Sequence, residues 1–206
     1  MADHNAETPI PAIVAAAGMS RRMGEPKQLL PWGEGTVIEA VVNTLAAAAA
    51  EPVVCIIGHQ ALQMRAALRK SSAQIVYNSA YAQGEMLSSY QAGIQWLIEQ
   101  GNRASGLLLA LSDQPHLPME VVRDVCTVAR TQPDAIVIPS HQMRRGHPIY
   151  LPRRFWSQAL KLPKDATLRT LIQQHDDAVF YVNLNQPAIL ADLDTPEDYR
   201  RLQPKQ

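Results

Sequence analysis

Apolar and polar positions along the chain switch between a strand-like and a helix-like rhythm. Pro11 to Ala17 is a short apolar run that opens onto Gly18, the pattern of a buried strand followed by a turn. Thr36-Val37-Ile38-Glu39 has the form of a capping box, with Thr at the N-cap and Glu at N3, and the alanine-rich continuation to Ala50 favours a helix. Val53 to Ile57 reads as a second strand, Ala61 to Lys70 as a helix and Gln74 to Tyr77 as a third strand. Met86, Tyr90, Ile94, Leu97 and Ile98 recur at helical spacing and predict an amphipathic helix from Met86 to Glu99. Leu107 to Leu111 is continuously apolar, as a central strand covered on both faces must be. A helical stripe through Val121, Val122, Val125, Cys126 and Ala129 precedes a strand at Ala135 to Ile138.

Beyond Pro139 the rhythm loosens. Ser140 to Gly146 is polar and basic, Ile149 to Leu151 fits a strand, and Arg153 to Leu160 and Leu168 to His175 fit short helices. Ala178 to Leu184 alternates as a strand, and Asp192-Leu193-Asp194 alternates so as to put two acids on one side of a strand. Thr195-Pro196-Glu197-Asp198 combines an N-cap, a proline at N1 and an acid at N3, and so starts a final helix. Strands alternating with helices at this spacing predict an α/β layered architecture around a mostly parallel sheet.

Composition narrows the function classes. A chain of 206 residues suits one domain, expected over residues 11–206 after a flexible segment 1–10. Nineteen Lys+Arg balance nineteen Asp+Glu, so no overall field draws the protein to nucleic acid or to an anionic membrane. The apolar runs are far shorter than the ~20 residues of a spanning helix, and the first ten residues lack a secretory pattern, so a cytoplasmic protein is expected. Cys55 and Cys126 stand among apolar neighbours without metal-ligand spacing and read as small buried hydrophobes. Trp32, Trp96 and Trp156 read as packing residues.

In an open α/β sheet, ligands bind beyond the carboxyl ends of the strands, so those exits carry the candidate chemistry. The first exit, Ala15-Ala16-Ala17-Gly18-Met19-Ser20-Arg21-Arg22-Met23-Gly24-Glu25-Pro26-Lys27-Gln28-Leu29-Leu30, offers small residues, backbone N–H groups and the cations Arg22 and Lys27, a cradle for a triphosphate. It is neither a Walker A loop nor a Rossmann GxGxxG fingerprint. Asp113 leaves the most apolar strand, where a carboxylate packs poorly but can hold Mg²⁺. Asp192 and Asp194 form a third exit, the second acidic one, suited to sharing that metal.

These elements occur in a recognisable order: Ala15-Ala16-Ala17-Gly18-x-Ser20-x-Arg22-Met23-Gly24-x-x-Lys27, Gly84-x-Met86-Leu87-Ser88-Ser89, Asp113-Gln114-Pro115, Arg145-Gly146-His147-Pro148 and Asp192-x-Asp194-Thr195-Pro196-Glu197-Asp198. Together they resemble the molybdenum cofactor cytidylyltransferases, a branch of the nucleotidyltransferases similar to the molybdenum cofactor guanylyltransferase. The resemblance implies a three-layer, Rossmann-like nucleotidyltransferase fold. It implies nucleotide binding by Ala16, Ala17, Gly18, Ser20, Arg22, Lys27, Gly84, Ser88 and Ser89, with Arg22 and Lys27 on the phosphates and acting with Asp113 in catalysis. Mg²⁺ would be held by Asp113 with Asp192 or Asp194, and the acceptor by Arg145, His147, Asp165 and Arg169. Ala16-Ala17-Gly18 is the form of the loop associated with CTP, and the family suggests a phosphorylated molybdopterin acceptor and a molybdenum hydroxylase receiving the product.

The chain departs from the family at Lys164-Asp165-Ala166-Thr167-Leu168-Arg169, where a Gly-Asp-x-Gly-Ala-Arg segment is usual and both glycines are missing. The same fold with another acceptor or with GTP therefore stays open, as do the enzyme that cytidylates methylerythritol phosphate and a nonenzymatic carrier of the cofactor. A Rossmann oxidoreductase would need the missing glycine fingerprint.

Overall fold

The computed structural model describes residues 9–20, 23–82 and 86–204. The expected flexible segment 1–10 lies outside them through residue 8, and the first strand starts at Ile10, itself buried. The strands are β1 (Ile10–Ala16), β2 (Pro31–Trp32), β3 (Gly35–Thr36), β4 (Ala50–Ile57), β5 (Gln74–Tyr77), β6 (Gly106–Leu111), β7 (Ile136–His141), β8 (Arg144–Arg145), β9 (Ile149–Pro152) and β10 (Val179–Asn183). The helices are α1 (Val37–Ala47), α2 (Ala61–Leu68), α3 (Met86–Glu99), α4 (Met119–Thr131), α5 (Trp156–Lys161), α6 (Leu168–Gln174) and α7 (Pro196–Leu202).

One sheet runs in the order β10-β7-β9-β6-β1-β4-β5, with β8 paired to β7. Its neighbours are parallel except where β9 lies antiparallel between β6 and β7 and where β8 folds back on β7. The strand period of two splits the core into two layers. Ala12, Val14 and Ala16 of β1 face a cluster with Ile38, Val42, Met64 and Val125 from α1, α2 and α4. Ile13 faces the opposite cluster, with Tyr90, Ile94, Trp156 and Leu171 from α3, α5 and α6. The layers are therefore helix, sheet and helix, as expected. Gly93 lets α3 lie against the sheet, because a Cβ there would stand 2.7 Å from Ile13.

Most expected elements form near their expected limits, and the differences have physical causes. The helix begun by the Thr36–Glu39 capping box ends at Ala47 rather than running to Ala50. Ala49 takes a positive φ of 62° and turns the chain, so that Ala50 can pair with Ile10. Pairing to a neighbour strand overrides alanine's helix preference here. β7 continues through Pro139 to His141, because the Pro139 carbonyl still accepts a hydrogen bond from Gly146 N–H (2.8 Å).

Asp192-Leu193-Asp194 is not a strand. It follows a short 3-10 turn, Pro187–Leu190, and a hydrogen bond from Leu193 N–H to the Asp113 carbonyl (3.1 Å) ties it to the sheet. Leu193 is fully buried with Leu30, Trp32 and Val37. Among the described residues no helix is long and apolar enough to cross a membrane. Both cysteines are buried and free, and Trp32 and Trp156 are buried in packing roles, as expected.

Candidate active site

The register of the sheet sets the site. Ala16 lies beside Ile57, Ala15 beside Leu111 and Ile57 beside Tyr77, so the chain leaves β1, β4, β5 and β6 at one edge. A cleft of about 520 Å³ opens there, lined on one side by Ala15, Ala17, Gly18, Ser20 and Lys27. Tyr81, Ser88, Ser89, Ser112, Asp113 and Asp194 contribute further wall.

The Lys27 ammonium lies in this cleft, donating to Asp113 Oδ2 (2.6 Å) and to Asp194 Oδ1 (3.0 Å). The three residues come from the loop after β1, the exit of β6 and the segment before α7. Burial alone would lower the Lys27 pKa, but the charges and hydrogen bonds of Asp113 and Asp194 outweigh it and hold the ammonium above its ordinary value. The lysine is therefore a fixed positive charge in a part-buried setting.

The opening loop is tied back to the sheet. Lys27 N–H donates to Ser20 Oγ (3.3 Å), Ser20 Oγ donates to Gln28 Oε1 (3.1 Å), and Gln28 Nε2 donates to Ser112 Oγ (3.4 Å). Across the cleft, the buried Asn78 organises the other wall. Its Oδ1 accepts from Ala80 N–H (3.0 Å), which orients the amide, and Nδ2 donates to Ser88 Oγ (2.9 Å) and Ser89 Oγ (3.3 Å).

A divalent cation fits this donor set. Asp113 Oδ1 is buried with no hydrogen-bond partner, and Mg²⁺ is commonly held by one or two carboxylates plus substrate phosphates. Among the described residues no group of three or more His, Cys, Asp or Glu is arranged to bind a metal by itself. Asp113 and Asp194 share Lys27, whereas Asp192 accepts from Gln114 Nε2 (2.9 Å). Burial, with the charge of Asp113 nearby, pushes the Asp192 carboxyl up to about 6. Of the two expected candidates, Asp194 is the one that shares Lys27 with Asp113.

The expected nucleotide residues are largely together: Ala17, Gly18, Ser20, Lys27, Ser88 and Ser89 all line the cleft. Ala16 does not, because strand alternation turns it into the α1 and α2 core. Arg22 and Gly84 lie outside the described residues.

The expected acceptor residues are not brought to this cleft. Arg145 pairs with Asp176 (3.6 Å) and stacks over Tyr181 (5.3 Å) near the β10 edge. His147 borders a separate small pocket with Thr44, Gln114 and Leu117, where burial pushes its imidazole down to about 4 against the pull of Asp113. Asp165 and Arg169 are exposed at the start of α6. Asn78 and Tyr81 were not anticipated as contributors, and Gln28 and Ser112 lie within the expected exits without having been given a role. Asn78 is legible in hindsight as a polar residue at a strand exit, while Gln28 and Ser112 show no spacing that would mark them.

Leu193 anchors the segment that delivers Asp194, so Leu193→Ala is expected to lower stability by about 2–5 kcal/mol in urea unfolding. It should also weaken nucleotide binding as Asp194 loosens, and unchanged unfolding would show that Leu193 is no anchor.

A lysine held between carboxylates beside a small-residue loop, at the carboxyl edge of such a sheet, is the arrangement of an α/β nucleotidyltransferase. The chain belongs to the family of the MobA-like NTP transferase domain, which it matches over residues 12–179. It is 27% identical over 191 residues to the molybdenum cofactor cytidylyltransferase of Escherichia coli (strain K12), covering 92% of this chain and 93% of that protein. It is also 28% identical over 202 residues to the nicotine blue oxidoreductase of Paenarthrobacter nicotinovorans, covering 94% and 96%. The crystal structure of Rv0371c from Mycobacterium tuberculosis H37Rv superimposes with a TM-score of 0.80 at 28% identity, covering 95% of this chain and 97% of that one. A structure of the same mycobacterial protein in complex with manganese gives a TM-score of 0.74 at 27% identity, covering 95% and 98%.

Proposed function

We propose that this single nucleotidyltransferase domain acts in the cytoplasm in molybdenum cofactor metabolism, transferring CMP from CTP to a phosphorylated acceptor of the molybdopterin type. The observation that carries the reading is the Lys27 ammonium between Asp113 and Asp194 in the cleft walled by the small-residue loop. The Ala16-Ala17-Gly18 sequence and the relative named a cytidylyltransferase favour cytidine.

In this reaction an acceptor phosphate oxygen forms a bond to the α-phosphorus of CTP, the bond from that phosphorus to the bridging oxygen breaks, and pyrophosphate leaves. A phosphate nucleophile is already ionised at neutral pH, so no general base is required. Lys27, with Arg22, binds the phosphates and stabilises the charge that develops on them, while the backbone of residues 17–20 and the serines of α3 orient the nucleoside. Asp113 and Asp194 would hold Mg²⁺, which supplies charge neutralisation at the phosphates when bound. Because Arg145, His147, Asp165 and Arg169 lie outside this cleft, they are proposed as contacts only for parts of the acceptor remote from its reacting phosphate, and a molybdenum hydroxylase is the proposed recipient of the product.

Calorimetric titration with CTP, GTP, ATP and UTP, with and without Mg²⁺, tests the reading. The expected result is Mg²⁺-dependent binding with CTP preferred, followed by pyrophosphate release when molybdopterin is added. A preference for GTP would keep the chemistry and overturn the base assignment. Binding of a nicotinamide dinucleotide in place of any nucleoside triphosphate would overturn the whole reading.

A further inference from the structure

Tyr81 is an aromatic side chain on the wall of a cleft that is otherwise lined mainly by small and polar residues, and several parts of the fold converge to place it. Its side chain lies directly on Gly58. A Cβ at that position would stand 2.5 Å from Tyr81 Cβ, 2.6 Å from Cγ and 2.9 Å from the Ala17 side chain. Only a glycine after β4 leaves room for the ring to lie beside the small-residue loop.

The backbone is fixed as well. Tyr81 N–H donates to the Asn78 carbonyl (3.3 Å), and the Asn78 side chain closes the same turn through Ala80 N–H (3.0 Å). The ring has two aromatic neighbours. His59 and Tyr77 each lie 6.3 Å away between centroids, tilted at 45° and 63°, within the range of favourable aromatic contacts. His59 N–H in turn donates to the Ala17 carbonyl (3.2 Å), which joins this aromatic row to the opening loop.

We propose that Tyr81 is the platform on which the base of the nucleoside triphosphate stacks, a role that rests on the nucleotidyltransferase reading above. Stacking on an aromatic ring tolerates every base, because each has a flat π-face. Tyr81 therefore sets how tightly the nucleoside end is held, while hydrogen-bonding groups such as Ser88 and Ser89 set which base is chosen.

The test compares wild type, Tyr81→Ala, Tyr81→Leu and Tyr81→Phe by calorimetry against two probes, CTP and inorganic triphosphate, both with Mg²⁺. The alanine and leucine variants should each bind CTP about tenfold more weakly while binding triphosphate as wild type does, and the phenylalanine variant should bind both within about twofold of wild type. Leucine keeps apolar bulk without a flat ring, so it decides the matter if the alanine variant fails to fold. Equal weakening toward both probes would show a structural role only, and undiminished CTP affinity in the leucine variant would also overturn the platform. If wild type binds triphosphate but not CTP, the platform fails while a phosphate site stands. If wild type binds neither, the nucleotidyltransferase reading fails first.

Discussion

Lys27→Met is expected to lower nucleotidyl transfer by about a hundred- to a thousandfold while leaving the α/β fold in place, the loss typical of removing one preorganised charge-stabilising donor. Lys27 holds its ammonium in a site only partly open to water, between Asp113 at 2.6 Å and Asp194 at 3.0 Å, and a cation so placed needs no reorganisation when charge develops on a phosphate. Methionine keeps most of the side chain's length and apolar stem but has no donor. The same substitution leaves two carboxylates facing one another without the shared positive charge, and like charges at such a separation destabilise the ionised pair. The variant should therefore melt at a lower temperature than wild type in metal-free buffer, and added Mg²⁺ should recover more stability in the variant than in wild type. Lys27→Arg is not expected to rescue turnover, because a planar guanidinium does not reproduce a compact ammonium between two acids. Pyrophosphate release with CTP and acceptor, alongside thermal melting with and without Mg²⁺, measures both effects. Turnover near that of wild type in Lys27→Met would remove the lysine from the catalytic centre.

The architecture was legible because most of the chain follows local rules that the tertiary structure reinforces. The capping boxes at Thr36 and Thr195 form as their spacing demands, and the apolar stripe from Met86 to Glu99 becomes a helix of those bounds. Where the rules failed, a long-range contact had won. Ala48 to Ala50 leaves the helix so that Ala50 can pair with Ile10 in the sheet, and Asp192-Leu193-Asp194 forms no strand, its backbone being tied to the exit of β6. That segment is held instead by a buried leucine and a single backbone hydrogen bond to Asp113.

The same distinction separates the two halves of the candidate site. The nucleotide side was legible because strand exits in a parallel sheet converge whatever the loops do, and Ala17, Lys27, Asp113 and Asp194 indeed meet there. The acceptor side was not, since Arg145, His147, Asp165 and Arg169 depend on how irregular loops fold back. Arg145 is drawn to Asp176 and Tyr181, and His147 is turned into a small pocket of its own. The role of Gln28 escaped notice for a related reason. It acts by hydrogen-bonding to Ser112, distant in sequence, and nothing in local spacing announces that.

Asp113→Asn is expected to abolish the Mg²⁺-dependent part of CTP binding and to reduce turnover by about a thousandfold, the rate equivalent of ~4 kcal/mol. The substitution preserves shape, so its effect isolates charge. Asp113 has a buried Oδ1 with no hydrogen-bond partner, an arrangement that is costly unless a cation or its ligands complete it, and an amide in that place cannot serve a hard cation as a carboxylate does. There is a second consequence at Lys27. Burial pulls the Lys27 pKa down, and the charge of Asp113 is the largest influence opposing that pull, so removing it lets the pKa fall. In wild type the pairing contributes stability that is fully present below the ordinary lysine value and is lost only as pH rises through the raised one. In Asp113→Asn that window moves toward lower pH, and the residual turnover should decline on the alkaline side at a lower pH than in wild type. Calorimetry of CTP with and without Mg²⁺ and a pH profile of pyrophosphate release measure the two effects separately. Retained Mg²⁺-dependent binding would move the metal away from Asp113, and an unshifted alkaline limb would show that Asp194 alone keeps Lys27 charged.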